Sequence, residues 1–157
     1  IYAIGDIIGG YQLAHAASAE GIHAVEAILG NHPKPIDPMI IPRCVYTNPE
    51  IATFGLLEDE VEEECIVTKL PFKTNPKALM EGNDVGFIKF IASKERHEIL
   101  GACVVGEGAT EILNTMLAVK VAGGNADDLS KIIFPHPTVS EHIGDAARVV
   151  FWKAIHS

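Results

Sequence analysis

The spacing of apolar residues along this chain changes near residue 42, and the change predicts two kinds of structure. Between residues 13 and 29, apolar side chains recur mostly three or four positions apart, which predicts an amphipathic helix that stops at Gly30. Residues 1–6, reading I-Y-A-I-G-D, have the apolar composition of a buried strand that ends in a glycine and an aspartate. The proline-rich segment 32–42 then separates this first part from the rest.

Beyond the proline-rich segment, short runs of β-branched and aromatic residues alternate with turn residues. They predict five strands, at residues 43–47, 50–54, 65–72, 85–93 and 99–105. A polar stretch at residues 94–98 separates the last two strands, which predicts an antiparallel hairpin. We therefore expect an antiparallel sheet in this part of the chain.

Helices are predicted after the last strand. Residues 109–122 follow a glycine turn, are strongly apolar on one side and stop at a pair of glycines. Asn125 is a suitable N-cap for a short helix, and Thr138 is a suitable N-cap for a final helix that runs to Trp152. The final helix ends in apolar residues, which either pack onto the sheet or form a surface for a partner.

The order of these elements predicts two parts with different architecture. Residues 1–38 form a strand, a helix and a proline-rich linker. Residues 39–157 form an α+β domain in which an antiparallel β-sheet is flanked by helices. Because the chain starts at Ile1 inside a predicted strand, we expect it to belong to a longer protein.

Composition narrows the range of functions. The formal net charge of -9 and the pI near 5.1 argue against a surface for nucleic acid or for an anionic membrane. No apolar run approaches the roughly 20 residues of a membrane-spanning helix. Cys44, Cys65 and Cys103 are odd in number and far apart, which favours a reducing compartment over a disulfide framework. The scattered histidines and cysteines predict no metal site.

The strongest candidate for chemistry is the segment 134–147, which reads F-P-H-P-T-V-S-E-H-I-G-D-A-A. Pro137 biases His136 towards extended backbone, so the imidazole projects from a stiff lead-in to the following helix. Glu141 has two interpretations. As part of a capping box, it would only reach back to the Thr138 amide. Alternatively, it would accept a hydrogen bond from one ring nitrogen of His136 and leave the other nitrogen to exchange a proton.

A carboxylate beside an imidazole is useful when the substrate is a thiol. An ordinary thiol and an ordinary imidazole differ by about two pKa units, so proton transfer to the imidazole is uphill by roughly 2.7 kcal/mol. The positive end of a helix disfavours the imidazolium by about 0.3 to 1 kcal/mol more. A neighbouring carboxylate acts in the opposite direction and can outweigh that contribution.

These residues also resemble a known family. The run H-P-T-x-S-E, at residues 136–141, resembles the C-terminal signature of the FAD-dependent pyridine nucleotide-disulfide oxidoreductases, and within them of the dihydrolipoyl dehydrogenases. The runs Y-A-I-G-D, L-A-H-A-A and V-Y-T-N-P-E-I-A-T-F-G resemble further segments of the same enzymes. The resemblance therefore extends over the length of the chain.

The resemblance implies roles for individual residues. His136 would be the acid/base, and Glu141 would orient it. Asp6 would contact the ribityl chain of FAD. The backbone near the flavin ring would be that of Gln12, Leu13, Ala14 and His15. Without the resemblance, Asp6 is an ordinary turn residue and His15 an ordinary residue at a helix start.

By the same resemblance, the complete enzyme oxidises protein-bound dihydrolipoamide through a redox-active disulfide and FAD, and reduces NAD. Residues 1–38 would be the tail of the FAD-binding domain, and residues 39–157 the interface domain of a homodimer whose histidine serves the opposite subunit. The protein partner would be the lipoyl domain of a 2-oxo acid dehydrogenase or glycine cleavage complex. The enzyme would work in a bacterial cytoplasm or a mitochondrial matrix.

Parts of such an enzyme are absent from this sequence. It has no phosphate-binding G-x-G-x-x-G, no second nucleotide-binding unit and no redox-active cysteine pair. We therefore expect this chain alone to dimerise without turning over. Dihydrolipoyl dehydrogenases also commonly carry a second histidine where this chain has Phe134, so the polar surroundings of the site differ.

Two other interpretations remain open. The chain could belong to a glutathione or mercuric reductase of the same family, which the segments L-A-H and N-P-E-I-A disfavour. Alternatively, it could be an assembly module without chemistry, in which His136 is a structural residue beside a helix cap.

Overall fold

The structure is a computed structural model that describes residues 1–62 and 64–151. The chain divides into two compact units, which we call the N-terminal unit, residues 1–41, and the sheet unit, from Pro42 onward. The division lies a few residues after the boundary between 38 and 39 that the sequence predicts. Both positions fall at the end of the same proline-rich segment.

The N-terminal unit contains one α-helix and two short 3-10 turns. The helix α1 spans Ala14–Ile28, as its apolar spacing predicts, and the 3-10 turns span Gly5–Ile8 and Pro38–Ile40. The predicted strand at residues 1–6 is wrong, because these residues have no strand pairing. A strand needs a neighbour for its backbone hydrogen bonds, and all strand pairs among the described residues lie in the sheet unit.

The helix α1 buries little of its apolar side. Ala16 is its buried residue. The exposed large apolar residues of α1 and its C-terminal end are Ile22, Val25, Ile28 and Leu29. The helix is therefore correctly predicted, whereas the apolar stripe that predicts it is exposed in this structure.

The sheet unit is built on five antiparallel strands in the order β1-β2-β5-β4-β3. Their bounds are β1 Arg43–Val45, β2 Glu50–Gly55, β3 Cys65–Pro71, β4 Phe87–Ser93 and β5 Ile99–Gly106. The predicted strands and the hairpin between the last two are confirmed. The strand β5 lies between β2 and β4, so the sheet is not a simple meander.

Within residues 42–62 and 64–151, four helices accompany the sheet: α2 Pro76–Glu81, α3 Ala109–Val121, α4 Ala126–Ser130 and α5 Glu141–Val149. The helix α3 follows Gly108, whose φ of 68° lies in the left-handed region that glycine adopts without strain. Asn125 caps α4, as predicted, because its side chain accepts hydrogen bonds from the Asp127 and Asp128 amides. The acidic segment at 57–64 forms only a 3-10 turn, Glu58–Glu60, in its described part.

The hydrophobic core lies between one face of the sheet and the helices α3 and α5. Alternate residues of the strands, among them Ile88, Phe90 and Val104, are fully buried there. They meet Leu113 of α3 and Ile143 of α5, which are also buried. The N-terminal end of α5 is thus attached to the core that the sheet supplies.

The end of α5 also packs on the core. Val150 is buried, and Phe151 packs edge-on against the ring of His97 with a centroid distance of 4.6 Å. Val150 and Phe151 therefore pack onto their own unit, as the first of the two interpretations of this apolar end predicts. Trp152, to which the predicted helix extends, lies outside the described residues.

The opposite face of the sheet is partly open. Val45 and Ile51, which are paired across β1 and β2, are exposed on that side. A cleft of about 490 Å³ lies on the same face, with Phe87 and Cys103 in its lining. This face of the sheet therefore exposes apolar side chains to solvent.

Candidate active site

His136 and Glu141 form a hydrogen-bonded pair at the start of α5. The His136 Nδ1 atom lies 2.9 Å from Glu141 Oε1. The His136 side chain is 64% exposed and the Glu141 side chain is 14% exposed, so the carboxylate is held inside while the ring faces outward. Among the described residues, His136 Nε2 has no hydrogen-bond partner. The arrangement matches a histidine whose far nitrogen is available to a substrate.

Glu141 satisfies both interpretations of its position at once. Its second oxygen, Oε2, accepts a hydrogen bond of 2.8 Å from the Thr138 amide while Oε1 faces His136. A carboxylate has acceptor sites on both oxygens, so the backbone contact does not compete with the histidine contact. The backbone contact instead helps to fix the orientation of the carboxylate that contacts the ring.

Thr138 is not the N-cap that the sequence predicts. Its hydroxyl donates to the Pro135 carbonyl at 2.8 Å, so the oxygen is not directed at the first amides of α5. The helix α5 begins at Glu141 and follows two turn residues, Val139 and Ser140. The local capping pattern correctly relates Thr138 to Glu141, but the helix starts later along the chain than that pattern implies.

The tautomer of His136 follows from its partner. An ionised carboxylate only accepts hydrogen bonds, so a neutral His136 ring carries its proton on Nδ1 and its lone pair on Nε2. The exposed Nε2 can then take a proton from a donor outside the chain. Uptake of that proton makes an imidazolium beside the Glu141 carboxylate, which stabilises the new charge.

A buried polar cluster lies behind this pair, and no pattern in the sequence indicates it. Asn75 and His142, both fully buried, belong to the cluster. The Asn75 Nδ2 atom lies 3.1 Å from the Thr138 carbonyl and 3.4 Å from His142 Nδ1. The dipeptide Asn75-Pro76 is typical of a helix N-cap followed by an N1 proline, but nothing local in the sequence indicates a contact 63 residues away.

The other side of Glu141 borders a cavity of about 240 Å³ lined in part by Phe134, Asp145 and Arg148. Asp145 is buried, and its Oδ1 accepts a hydrogen bond of 3.1 Å from Arg148 Nη1. The Phe134 ring lies against Gly144, where an added Cβ would be 2.9 Å from Cε2 of that ring. The phenyl ring therefore occupies this side of the site with an apolar surface.

The predicted FAD contacts all lie in the N-terminal unit. Asp6 is exposed in the 3-10 turn, and Gln12 has a positive φ of 50°. Leu13 is the extended N-cap of α1, followed by Ala14 and the exposed His15. The structure thus brings residues 12–15 together at one helix start, with Asp6 in the turn before it.

This helix start fits a flavin in its donor chemistry. Leu13 provides no side-chain acceptor, so the first amides of α1 are not capped by their own N-cap residue. Such amides suit the carbonyl oxygens of a flavin ring, because the helix N-terminus carries partial positive charge. The exposed carboxylate of Asp6 suits the hydroxyl groups of a ribityl chain.

The cysteines have the properties of structural thiols. All three are free, and they lie in β1, β3 and β5. Burial raises the pKa of the Cys44 and Cys103 thiols, which reduces the thiolate fraction that a redox-active cysteine needs. Within residues 1–62 and 64–151, no three side chains of His, Cys, Asp or Glu are grouped as a metal site requires. In the same residues, no helix has the length and apolar character to traverse a membrane.

The chain is similar to known proteins over nearly its whole length. Residues 41–147 match the family model described as pyridine nucleotide-disulphide oxidoreductase, dimerisation domain. A dihydrolipoyl dehydrogenase of Bacillus subtilis is 44% identical over 99% of this chain and 34% of its own length. A mitochondrial dihydrolipoyl dehydrogenase of Caenorhabditis elegans is 38% identical over 100% of this chain and 32% of its own length.

Solved structures agree with the sequence matches. LpdA from Mycobacterium tuberculosis superposes with a TM-score of 0.90 at 28% identity, over 96% of this chain and 33% of that one. The HOCl-induced flavoprotein disulfide reductase RclA from Escherichia coli has a TM-score of 0.87 at 26% identity, over 96% of this chain and 35% of its own. The chain thus spans about a third of the length of these relatives. It belongs, by its dimerisation domain, to the pyridine nucleotide-disulphide oxidoreductase family.

Proposed function

We propose that this chain supplies the interface domain and the acid/base pair of a dihydrolipoyl dehydrogenase. That enzyme oxidises protein-bound dihydrolipoamide through a redox-active disulfide and FAD, and reduces NAD. The observation that carries the proposal is the hydrogen bond between His136 and Glu141, which leaves Nε2 directed away from the carboxylate. The similarity to enzymes named dihydrolipoyl dehydrogenase supports the same substrate.

His136 acts on the substrate thiol. Its Nε2 takes the proton from one dihydrolipoamide sulfur, and the resulting thiolate attacks the redox-active disulfide that another part of the enzyme provides. One S–S bond breaks as the mixed disulfide forms, and the displaced sulfur leaves as a thiolate. The imidazolium gives its proton to this displaced thiolate, and the free Nε2 then takes the proton of the second substrate thiol. The second substrate thiolate attacks the substrate sulfur of the mixed disulfide, which closes the lipoamide disulfide and releases the other enzyme sulfur as a thiolate. Glu141 holds the ring and stabilises the imidazolium between these steps.

FAD, when bound, would supply the two-electron acceptor for the reduced disulfide and the electron source for NAD. Asp6 binds the ribityl hydroxyls in this proposal. Residues 12–15 present backbone donors to the flavin ring from the start of α1. The N-terminal unit is then the tail of the FAD-binding domain, which accounts for the exposed apolar stripe on α1.

The active enzyme in this proposal is a homodimer, with His136 completing the active site of the opposite subunit. The description of the matched family model as a dimerisation domain supports the homodimer. The exposure of the His136 ring and the open apolar face of the sheet also suit a domain that is covered in an assembly. The electron donor is a lipoyl domain of a 2-oxo acid dehydrogenase or glycine cleavage complex. The compartment is a bacterial cytoplasm or a mitochondrial matrix.

Mixed dimers of the complete enzyme test this proposal directly. One subunit carries His136→Gln, and the other keeps His136 but lacks the redox-active cysteine pair. If the histidine serves the opposite subunit, each mixed dimer has one intact site, so random mixing should restore about a quarter of wild-type dihydrolipoamide oxidation. Each variant homodimer is the control and should be inactive. Mixed dimers as inactive as both homodimers would contradict the shared site.

Replacement of Glu141 by glutamine should lower kcat for dihydrolipoamide oxidation by about tenfold, because a charge-assisted hydrogen bond to the imidazolium is lost. The single amide oxygen also has to choose between the His136 ring and the Thr138 amide. Steady-state kinetics with dihydrolipoamide and NAD measure the effect. The matched control is Glu111→Gln, an acid in the first turn of α3, which should leave kcat unchanged. Equal kinetics for both variants would remove Glu141 from the mechanism.

A second candidate is a different disulfide reductase of the same family. The structural similarity to RclA and the phenyl ring of Phe134 beside the site favour it. A substrate panel with the complete enzyme distinguishes the two. Dihydrolipoamide should reduce NAD, whereas glutathione disulfide and mercuric ion should not be reduced with NADH or NADPH.

A further inference from the structure

A buried side chain from the loop between β3 and α2 contacts the segment that carries His136. Asn75 belongs to the loop between β3 and α2, and it is fully buried. Its Nδ2 donates to the Thr138 carbonyl at 3.1 Å. The amide of the same residue, Thr138, donates to Glu141 Oε2 at 2.8 Å. Thr138 is therefore held at its carbonyl by Asn75 and at its amide by the carboxylate that holds the His136 ring.

Asn75 is itself fixed in orientation. Its Oδ1 accepts a hydrogen bond of 2.9 Å from the Ala78 amide, which makes it the N-cap of α2. Because Oδ1 is used by the helix, Nδ2 must face Thr138 and His142. A flipped amide would present an oxygen to the Thr138 carbonyl and leave the cap without an acceptor.

His142 supports Asn75 from the other side. The Pro71 carbonyl can only accept, and it lies 3.1 Å from His142 Nε2. The Thr74 hydroxyl donates to the same carbonyl at 3.0 Å, so its oxygen accepts from His142 Nε2 at 3.2 Å. These partners place a proton on Nε2 and leave Nδ1 to accept from Asn75.

We propose that Asn75 is a positioning residue for the acid/base, acting through Thr138 and Glu141 on the orientation of the His136 ring. The inference rests on the proposed function, since it concerns the same proton transfer. The hydrogen bonds that the described residues make to the Asn75 side chain involve Thr138, His142 and Ala78, and none of them involves the His136 ring. Loss of its donor releases the Thr138 carbonyl, and the Glu141 carboxylate then loses the fixed backbone amide that orients it.

The structure offers a matched pair of variants. Asn75→Ser keeps an N-cap oxygen for α2 and removes the Nδ2 donor. Asn125→Ser makes the same change at the N-cap of α4, where the asparagine caps only its own helix through Oδ1. Both variants are made in the complete enzyme, alone and together with His136→Gln. Steady-state dihydrolipoamide oxidation is compared with NADH-dependent ferricyanide reduction, which draws electrons from the flavin without a thiol proton transfer.

Asn75→Ser should lower kcat for dihydrolipoamide about tenfold with little change in KM, because a displaced base loses its alignment with the reacting sulfur. It should have no further effect when His136 is already glutamine, since both changes act on one group. Asn125→Ser and the ferricyanide reaction should be unaffected. If Asn75→Ser yields no folded enzyme, the near-isosteric Asn75→Asp is measured in the same way.

The results distinguish a failure of the proposed function from a failure of the positioning role of Asn75. If His136→Gln alone leaves dihydrolipoamide oxidation unchanged, the proposed function itself fails. If His136→Gln is strongly impaired but Asn75→Ser behaves as wild type, only the positioning role is overturned. The positioning role is also overturned if Asn75→Ser costs an equal factor in both backgrounds, or if Asn125→Ser costs as much as Asn75→Ser.

Discussion

Replacement of His136 by glutamine in the complete enzyme should lower kcat for dihydrolipoamide oxidation by about 10² to 10⁴-fold. Glutamine keeps a polar group that can still contact Glu141, but it cannot take or return a proton. The substrate thiol then has to lose its proton to water, and the attacking thiolate becomes scarce. Steady-state reduction of NAD by dihydrolipoamide measures the loss. KM should change little, because the substituted group acts in the proton transfer more than in binding.

Two controls belong to this experiment. The exposed His32, outside the pair, is replaced by glutamine as the matched variant and should retain wild-type kcat. Ferricyanide reduction by NADH should also survive in His136→Gln, which would show that the flavin and the NAD site are intact. If the kcat of the His136→Gln enzyme is within a few-fold of the wild-type value, the pair of His136 and Glu141 has only a structural role beside a helix cap.

Replacement of Phe90 by alanine should lower the free energy of unfolding of the sheet unit by about 3 to 5 kcal/mol. Phe90 is fully buried in β4, where it lies between Ala102 of β5 and Thr68 of β3 in the strand register. Removal of the ring leaves a cavity that the neighbouring strands cannot close without breaking their pairing. Such a loss is a large share of the stability of a typical domain.

Urea unfolding of the chain, followed by far-UV circular dichroism, measures this loss. Phe87→Ala is the matched control on the same strand. Phe87 lies on the opposite face, is only partly buried, and has the Lys69 ammonium 4.0 Å from its ring centroid. Its loss should cost roughly 1 kcal/mol. Equal destabilisation by the two variants would mean that the core does not lie on the helix-covered face.

Local patterns predicted much of the fold because, in the sheet unit, the residue types of each segment favour the element that the segment forms. The runs around Phe54, Phe90 and Val104 are rich in β-branched and aromatic residues and are bounded by turn residues, and the structure places all three side chains in the core. The β4–β5 hairpin follows from a polar turn between two such runs. Asn125 could be assigned as a cap because capping is settled within three residues.

Other features of the fold could not be predicted from local patterns of residues. Residues 1–6 have the composition of a strand, but strand formation depends on a neighbour that the described residues do not supply. Thr138 has the right spacing to Glu141 for a cap, yet its hydroxyl is used by Pro135 and the helix begins later. The strand β5 pairs with both β2 and β4, an order that no run of residues encodes by itself.

The candidate site shows the same division. The sequence by itself determined that His136 and Glu141 lie close together, because five residues and a helix start bring them within reach of one hydrogen bond. Only the tertiary structure decided what holds them, since Asn75 reaches Thr138 from 63 residues away. Short-range geometry is set by backbone sterics and hydrogen-bond reach, both of which are properties of neighbouring residues. A contact between distant segments depends on how the whole core packs, and no local pattern of residues records that.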